Sequence, residues 1–224
     1  HLLMKSSLQD AEYVLYEPEQ IQYKSQIYQG VKSNSFLSDD WQIVTLERLF
    51  KTICNESLTS MVWRIPEGED RLKFLTDQAE RITGLQEFGV YLNKLFTIDA
   101  IFLNEDRHMH NIAVMMNGKG EFDYCPIFDN GGALLTDTTM DYPLDQDELL
   151  LMKEVHAKTI SSDFDEQLDA SEHFYGRNLR FSFTKKDVER LLEKPELNMY
   201  DMQIRTRVAN IFYQQMNKYK YLFY

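Results

Sequence analysis

The chain is 224 residues long and 43% apolar, enough to bury a core in one sizeable domain or in two lobes. Its 24 basic and 36 acidic side chains leave a formal charge of −12, which repels phosphate backbones and argues against nucleic acid as the main ligand. No apolar run is long enough to span a bilayer and no secretory signal opens the chain, so no membrane attachment is expected. Cys54 and Cys125 lie 71 positions apart with no C-x-x-C pair, and read as reduced, structural thiols of a cytoplasmic protein. The first residue is a histidine, which is read as a sign of missing upstream residues.

Residues 1–40 read as strand-rich. His1 to Lys5 is a short apolar run ending in a lysine. Tyr13-Val14-Leu15-Tyr16 is rich in β-formers and is stopped by Pro18. Ile27 to Val31 predicts a third strand, and the polar stretch that follows predicts a boundary between 1–37 and 38–224. From Asp40 the period changes. Asp40 is read as the cap of a helix carrying Ile43, Leu46, Phe50 and Ile53 on one face. Leu72, Leu75, Ala79 and Ile82 predict a second helix ending near Gly84. A third, from Leu85 to Phe102, is apolar on more than one face, which predicts a helix buried in the middle of a lobe. Residues 114–116 and 122–124 read as strands of a hairpin around Asn117-Gly118, two residues that tolerate positive φ. Further helices are predicted over 145–158, 163–172, 185–194 and 200–219. The fold class is therefore α+β and predominantly helical.

The chemistry concentrates in Asn104-Glu105-Asp106-Arg107-His108-Met109-His110-Asn111 and the answering Phe128-Asp129-Asn130-Gly131-Gly132. Asn111 enters the predicted hairpin and Asp129 leaves it, so antiparallel pairing returns the two to the same open end. An amide oxygen and a carboxylate meeting there suit Mg²⁺, which takes few protein ligands and fills its sphere with water and phosphate oxygens. Asp106, one loop earlier, is placed to accept a hydrogen bond from an attacking hydroxyl. This is the composition of a phosphotransferase site.

The D-x-x-x-x-N pair of Asp106 and Asn111, followed by Asp129-Asn130-Gly131, resembles the catalytic and metal motifs of protein kinases. The form Asp106-Arg107-His108-x-x-Asn111 more closely resembles the HipA-like serine/threonine kinases, and lipid kinases of the phosphatidylinositol type share a similar D-R-H-x-x-N. The resemblance implies a protein-kinase-like C-terminal lobe over 38–224, with 1–37 the remnant of a β-rich N-terminal nucleotide lobe. It implies transfer of the γ-phosphoryl of ATP to a Ser or Thr of a protein substrate, with ATP and Mg²⁺ as cofactors. In it Asp106 is catalytic, and Asn111 and Asp129 are the metal ligands. Lys5 resembles the strand lysine that contacts nucleotide phosphates. HipA-like kinases include toxins neutralised by a DNA-binding partner, so an antitoxin-like partner is implied. Three departures stand beside the match. The nine glycines are scattered and form no phosphate loop, His110 replaces a lysine common before the motif asparagine, and Asn130 replaces the phenylalanine of the ordinary D-F-G. Two alternatives follow: a catalytically incomplete kinase-fold module that binds or regulates, and a lipid kinase, against which the acidic charge argues.

Blander readings attach to the same residues. Asp106 and Arg107 alone could merely charge the end of the preceding helix; it is their register with Asn111 and Asp129 that favours phosphotransfer. His108 is read as supporting the loop by bonding backbone carbonyls. His108, His110 and Cys125 do not match the spacing of a structural zinc site. Asp141, Asp145, Asp147 and Glu148 read as a solvated face and helix start, and Tyr213, Tyr219, Tyr221 and Tyr224 as a tail packed on the lobe.

Overall fold

The computed structural model describes residues 1–224 and shows an α+β chain dominated by eight α-helices. Strands β1 (Glu17–Tyr23) and β2 (Gln26–Lys32) form a two-stranded antiparallel hairpin, with Ile21 opposite Tyr28. Strand β3 (Trp41–Thr45) pairs with β4 (Ala113–Asn117), which pairs with β5 (Phe122–Tyr124), so β4 is the central strand of a small antiparallel sheet. The helices are α1 (Leu46–Cys54), α2 (Leu58–Trp63), α3 (Glu69–Thr83), α4 (Phe88–Phe102), α5 (Glu148–Glu154), α6 (Phe164–Tyr175), α7 (Lys185–Leu192) and α8 (Met202–Lys218).

Helix α4 is the axis of the molecule. Phe88, Leu92, Leu95, Phe96, Ile98 and Ile101 are all buried, and so are Asn93 and Asp99 on the same helix. A helix apolar on several faces has to be surrounded, as expected from its sequence. On one side it meets α6, where Asn93 Nδ2 donates to Ser171 Oγ at 2.9 Å. The two come this close because Gly89 has no side chain: a Cβ there would lie 2.2 Å from the Tyr175 ring. On the other side α8 closes the core through Ile211 and Phe212, with Phe212 edge-on to Phe102 at 5.3 Å. Leu2, Leu3, Leu8 and Tyr13 join the same core, whereas the β1–β2 hairpin stands outside it with Ile21, Ile27 and Val31 exposed.

Several local expectations are corrected. The segment Leu2–Lys5 is a 3₁₀ turn rather than a strand, since Leu2 and Leu3 must both face the core and alternation would bury only one. Residues 13–16 form no strand. Tyr13 makes one parallel bridge to Ile127, and the strand starts only at Glu17 and contains Pro18, opposite Val31, which an edge position tolerates. The helix expected from Asp40 begins at Leu46. Residues 41–45 are β3, rich in β-formers, and Thr45 caps α1 by accepting the Arg48 N–H at 3.3 Å. Ile43 falls in helical phase by coincidence, and Ile53 is 55% exposed. Short helix α2 has no counterpart among the expected elements.

The hairpin of β4 and β5 forms in the expected place but turns differently. Positive φ falls at Gly120 (81°) and not at Asn117 or Gly118. Asn117 Oδ1 instead accepts the N–H groups of Lys119 and Glu121, so a side chain acts as the missing turn acceptor. The C-terminal helices match their predicted spans, α5 being shorter at both ends. The tail packs on the lobe through buried Tyr219, whose hydroxyl donates to Asp165, while Tyr224 is exposed.

Candidate active site

Helix α4 stops because Leu103 takes a left-handed conformation, φ 49°, and drops the next residues into a loop. That loop, Asn104 to Asn111, crosses the open end of the β4–β5 hairpin. Helix α1 approaches from the other side. The first backbone N–H groups of a helix have no partner within it. Here two of them are used to hold the loop, Leu46 N–H donating to Ile112 O at 2.8 Å and Glu47 N–H to Met109 O at 3.1 Å.

Beneath the loop lies a fully buried ion pair, Asp99 with Arg107, at 3.1 Å. Arg107 spends its whole fork. Nε and Nη2 face the Asp99 carboxylate, Nη1 donates to Asn111 O at 2.9 Å and to Phe128 O at 2.8 Å, and Nη2 reaches Asn130 Oδ1 at 2.5 Å. One planar guanidinium therefore ties the end of the loop to the residues on both sides of Asp129, a task its bidentate geometry suits and an ammonium does not. Burial pushes the Asp99 carboxyl upward, and the Arg107 guanidinium and the Asn104 amide hold it back. Thr159 donates to the Arg107 carbonyl at 2.5 Å, tying the loop to the segment before α6.

Above this clamp sit the residues singled out by sequence. Asn111 is buried, and its Nδ2 donates to Asp106 O at 2.9 Å and to Asp106 Oδ2 at 3.2 Å. Both amide protons are thereby directed at Asp106, and Asn111 Oδ1 is left without a protein donor. Asp129 is exposed in a left-handed conformation, φ 53°, its N–H bonded to Tyr16 Oη at 3.3 Å and its carboxylate unpaired. Gly132 lies directly against Asp106: a Cβ on it would come within 2.7 Å of Asp106 Cβ. His108 supports the loop differently from expectation. Its Nδ1 accepts the His110 N–H at 3.2 Å, which places its proton on Nε2, 3.6 Å from Asp106 Oδ1.

Asp106, Asn111 and the 128–130 segment are thus brought together, and Lys5 is not one of the group. Its ammonium pairs with Asp187 at the start of α7, 2.8 Å away. His108, His110 and Cys125 form no metal-binding cluster, and burial pushes the Cys125 thiol up to about 12, where it is unreactive. The groups left free, the Asn111 amide oxygen and the Asp129 carboxylate, are hard donors of the kind Mg²⁺ takes, few in number and open to further ligands. The residues present fit that ion. Sequence reasoning misses Asp99, Thr159, Tyr16 and the structural role of Arg107. Asp99 alone carries a signal, being a carboxylate inside the most apolar helix, where a charge must have a partner.

No family model and no curated protein matches the sequence. Among solved structures, the fold is similar to that of the Helicobacter pylori proinflammatory kinase CtkA. The TM-score is 0.62 at 16% identity, over 97% of this chain and 80% of that one. The likeness is one of fold: the chain has a kinase-like architecture with a reduced sheet portion. No helix is long and apolar enough to cross a membrane.

Proposed function

We propose that the chain is an ATP-dependent phosphotransferase acting on a Ser or Thr hydroxyl of a protein, of the HipA-like kind. The observation that carries this reading is the division of labour around Arg107. The guanidinium holds the Asn111 and Phe128 carbonyls together, so that Asn111 Oδ1 and the Asp129 carboxylate stand free at one end of the hairpin. The Asn111 amide protons meanwhile orient Asp106. In this arrangement Asn111 and Asp129 hold Mg²⁺, which when bound neutralises charge on the phosphates. Asp106 accepts the hydrogen bond of the attacking hydroxyl and takes its proton as the new P–O bond forms and ADP departs. Little covalent chemistry is asked of the protein, and positioning with charge neutralisation supplies most of the rate.

The test is ATP turnover with generic Ser/Thr protein substrates, with lipid vesicles as a parallel arm. Asp106→Asn is expected to lower turnover by about 10²- to 10⁴-fold. Equal activity in the two proteins removes Asp106 from its role. The second reading, a kinase-fold module that does not turn over ATP, is favoured by the scattered glycines and by the reduction of β1 and β2 to a bare two-stranded hairpin. Calorimetry separates the two: heat of binding to ATP with Mg²⁺ that Asp129→Ala abolishes is not expected of such a module.

A further inference from the structure

The backbone at Asp129 is held from two directions, and only one of them is Arg107. Residues 12–16 run alongside 127–129. Ile127 N–H donates to Glu12 O at 2.8 Å, and Val14 N–H donates to Ile127 O at 2.9 Å. Beyond the single parallel bridge of Tyr13 and Ile127, Tyr16 reaches Asp129 through its side chain: the Asp129 N–H donates to the phenol oxygen at 3.3 Å. Arg107 binds Phe128 O and Asn130 Oδ1, the groups on either side, so the Tyr16 oxygen is the partner of Asp129 itself. The position needs one. Asp129 is non-glycine with φ 53°, a conformation that L side chains adopt sparingly and keep only when the surroundings fix it. Tyr16 is half-buried and lines an apolar cleft together with Leu3, Phe102, Leu134 and Phe212.

We propose that Tyr16 is a positioning residue of the magnesium site, its hydroxyl oxygen holding the Asp129 backbone in the left-handed conformation that presents the carboxylate beside Asn111. The role rests on the phosphotransfer reading given above, and it brings the segment ahead of β1 into the site. Without the phenol oxygen, the Asp129 N–H turns to water and the carboxylate loses its fixed direction.

Tyr16→Phe in the full chain keeps the ring and removes the oxygen. Amide exchange at Asp129, followed by NMR without ligand, is expected to quicken about fivefold, the worth of one ordinary hydrogen bond. The apparent Kd for ATP with Mg²⁺, measured by calorimetry, is expected to rise by about the same factor. The melting midpoint should fall by no more than about 2–4 °C. Absence of any magnesium-dependent heat in the unaltered chain overturns the phosphotransfer reading and the positioning role with it. A magnesium-dependent heat that Tyr16→Phe leaves unchanged overturns the positioning role alone.

Discussion

Replacing Arg107 by methionine removes the guanidinium and leaves Asp99 as an uncompensated charge in the core. Breaking a buried pair from one side costs about 3–5 kcal/mol, far more than a surface pair is worth. Urea denaturation of Arg107→Met should show a loss of that size, and adding Asp99→Asn should recover some of it. A second residue-scale prediction concerns Gly132. Its freedom from positive φ means that no backbone strain is at issue; space is. An added Cβ 2.7 Å from Asp106 Cβ forces one of the two segments to move. Gly132→Ala should therefore lower turnover by roughly tenfold to a hundredfold, in the range expected of misplacements near 1 Å. A turnover assay in which Gly132→Ala matches the native chain would show that the Asp106 geometry is not critical. From sequence Arg107 looks like a helix-end charge, because nothing local reveals that Phe128 and Asn130, 21 and 23 residues away, converge on it with Asp99 and Asn111.

Elements are joined here by small polar ties whose strength depends on conditions. The 3₁₀ turn at Leu2–Lys5 is fastened to α7 by Lys5 and Asp187, with Ser182 N–H donating to Lys5 O at 2.8 Å beside it. The Lys5 ammonium, with the Thr184 N–H and hydroxyl, holds the Asp187 carboxyl well below the usual carboxylate range. A carboxyl depressed in the folded state contributes stability above its unfolded pKa of about 3.9, and loses it as pH falls through the lower folded value. Lys5→Met should therefore be less stable than the parent at pH 7 in urea denaturation. The gap between the two curves should narrow as the pH falls below about 3.9 towards the lower folded value. A gap that does not narrow would mean Lys5 acts through packing of its stem. The lysine assigned from sequence to nucleotide phosphates thus has a structural occupation.

Across the whole molecule, order is unevenly distributed. One core of buried apolar residues runs from Leu2 to Leu222 and surrounds α4, while β1 and β2 pair only with each other. A lone two-stranded hairpin is marginally stable in water. Hydrogen exchange should be slowest in α4 and markedly faster across β1–β2, even though both are fully hydrogen-bonded. Equal protection in the two would mean that the hairpin is covered in solution. The loop from Asn104 to Asn111 follows directly from α4, on the well-packed side of this division.

What the sequence by itself determined were the features carried by short spacings. They include the buried period of α4, the place of the β4–β5 hairpin, and the return of Asp129 towards Asn111. Those depend on residues near one another in the chain, where a pattern of two or 3.6 and a turn leave few alternatives. Tertiary structure alone decided the rest. It made Trp41–Thr45 a strand because β4 was there to pair with it, and it turned Lys5 towards Asp187. It also brought Asp99 and Tyr16 to the site from segments 8 and 113 residues away from the groups they bond. Such contacts form only when a closed core makes an unpaired polar group expensive, and no local propensity encodes them.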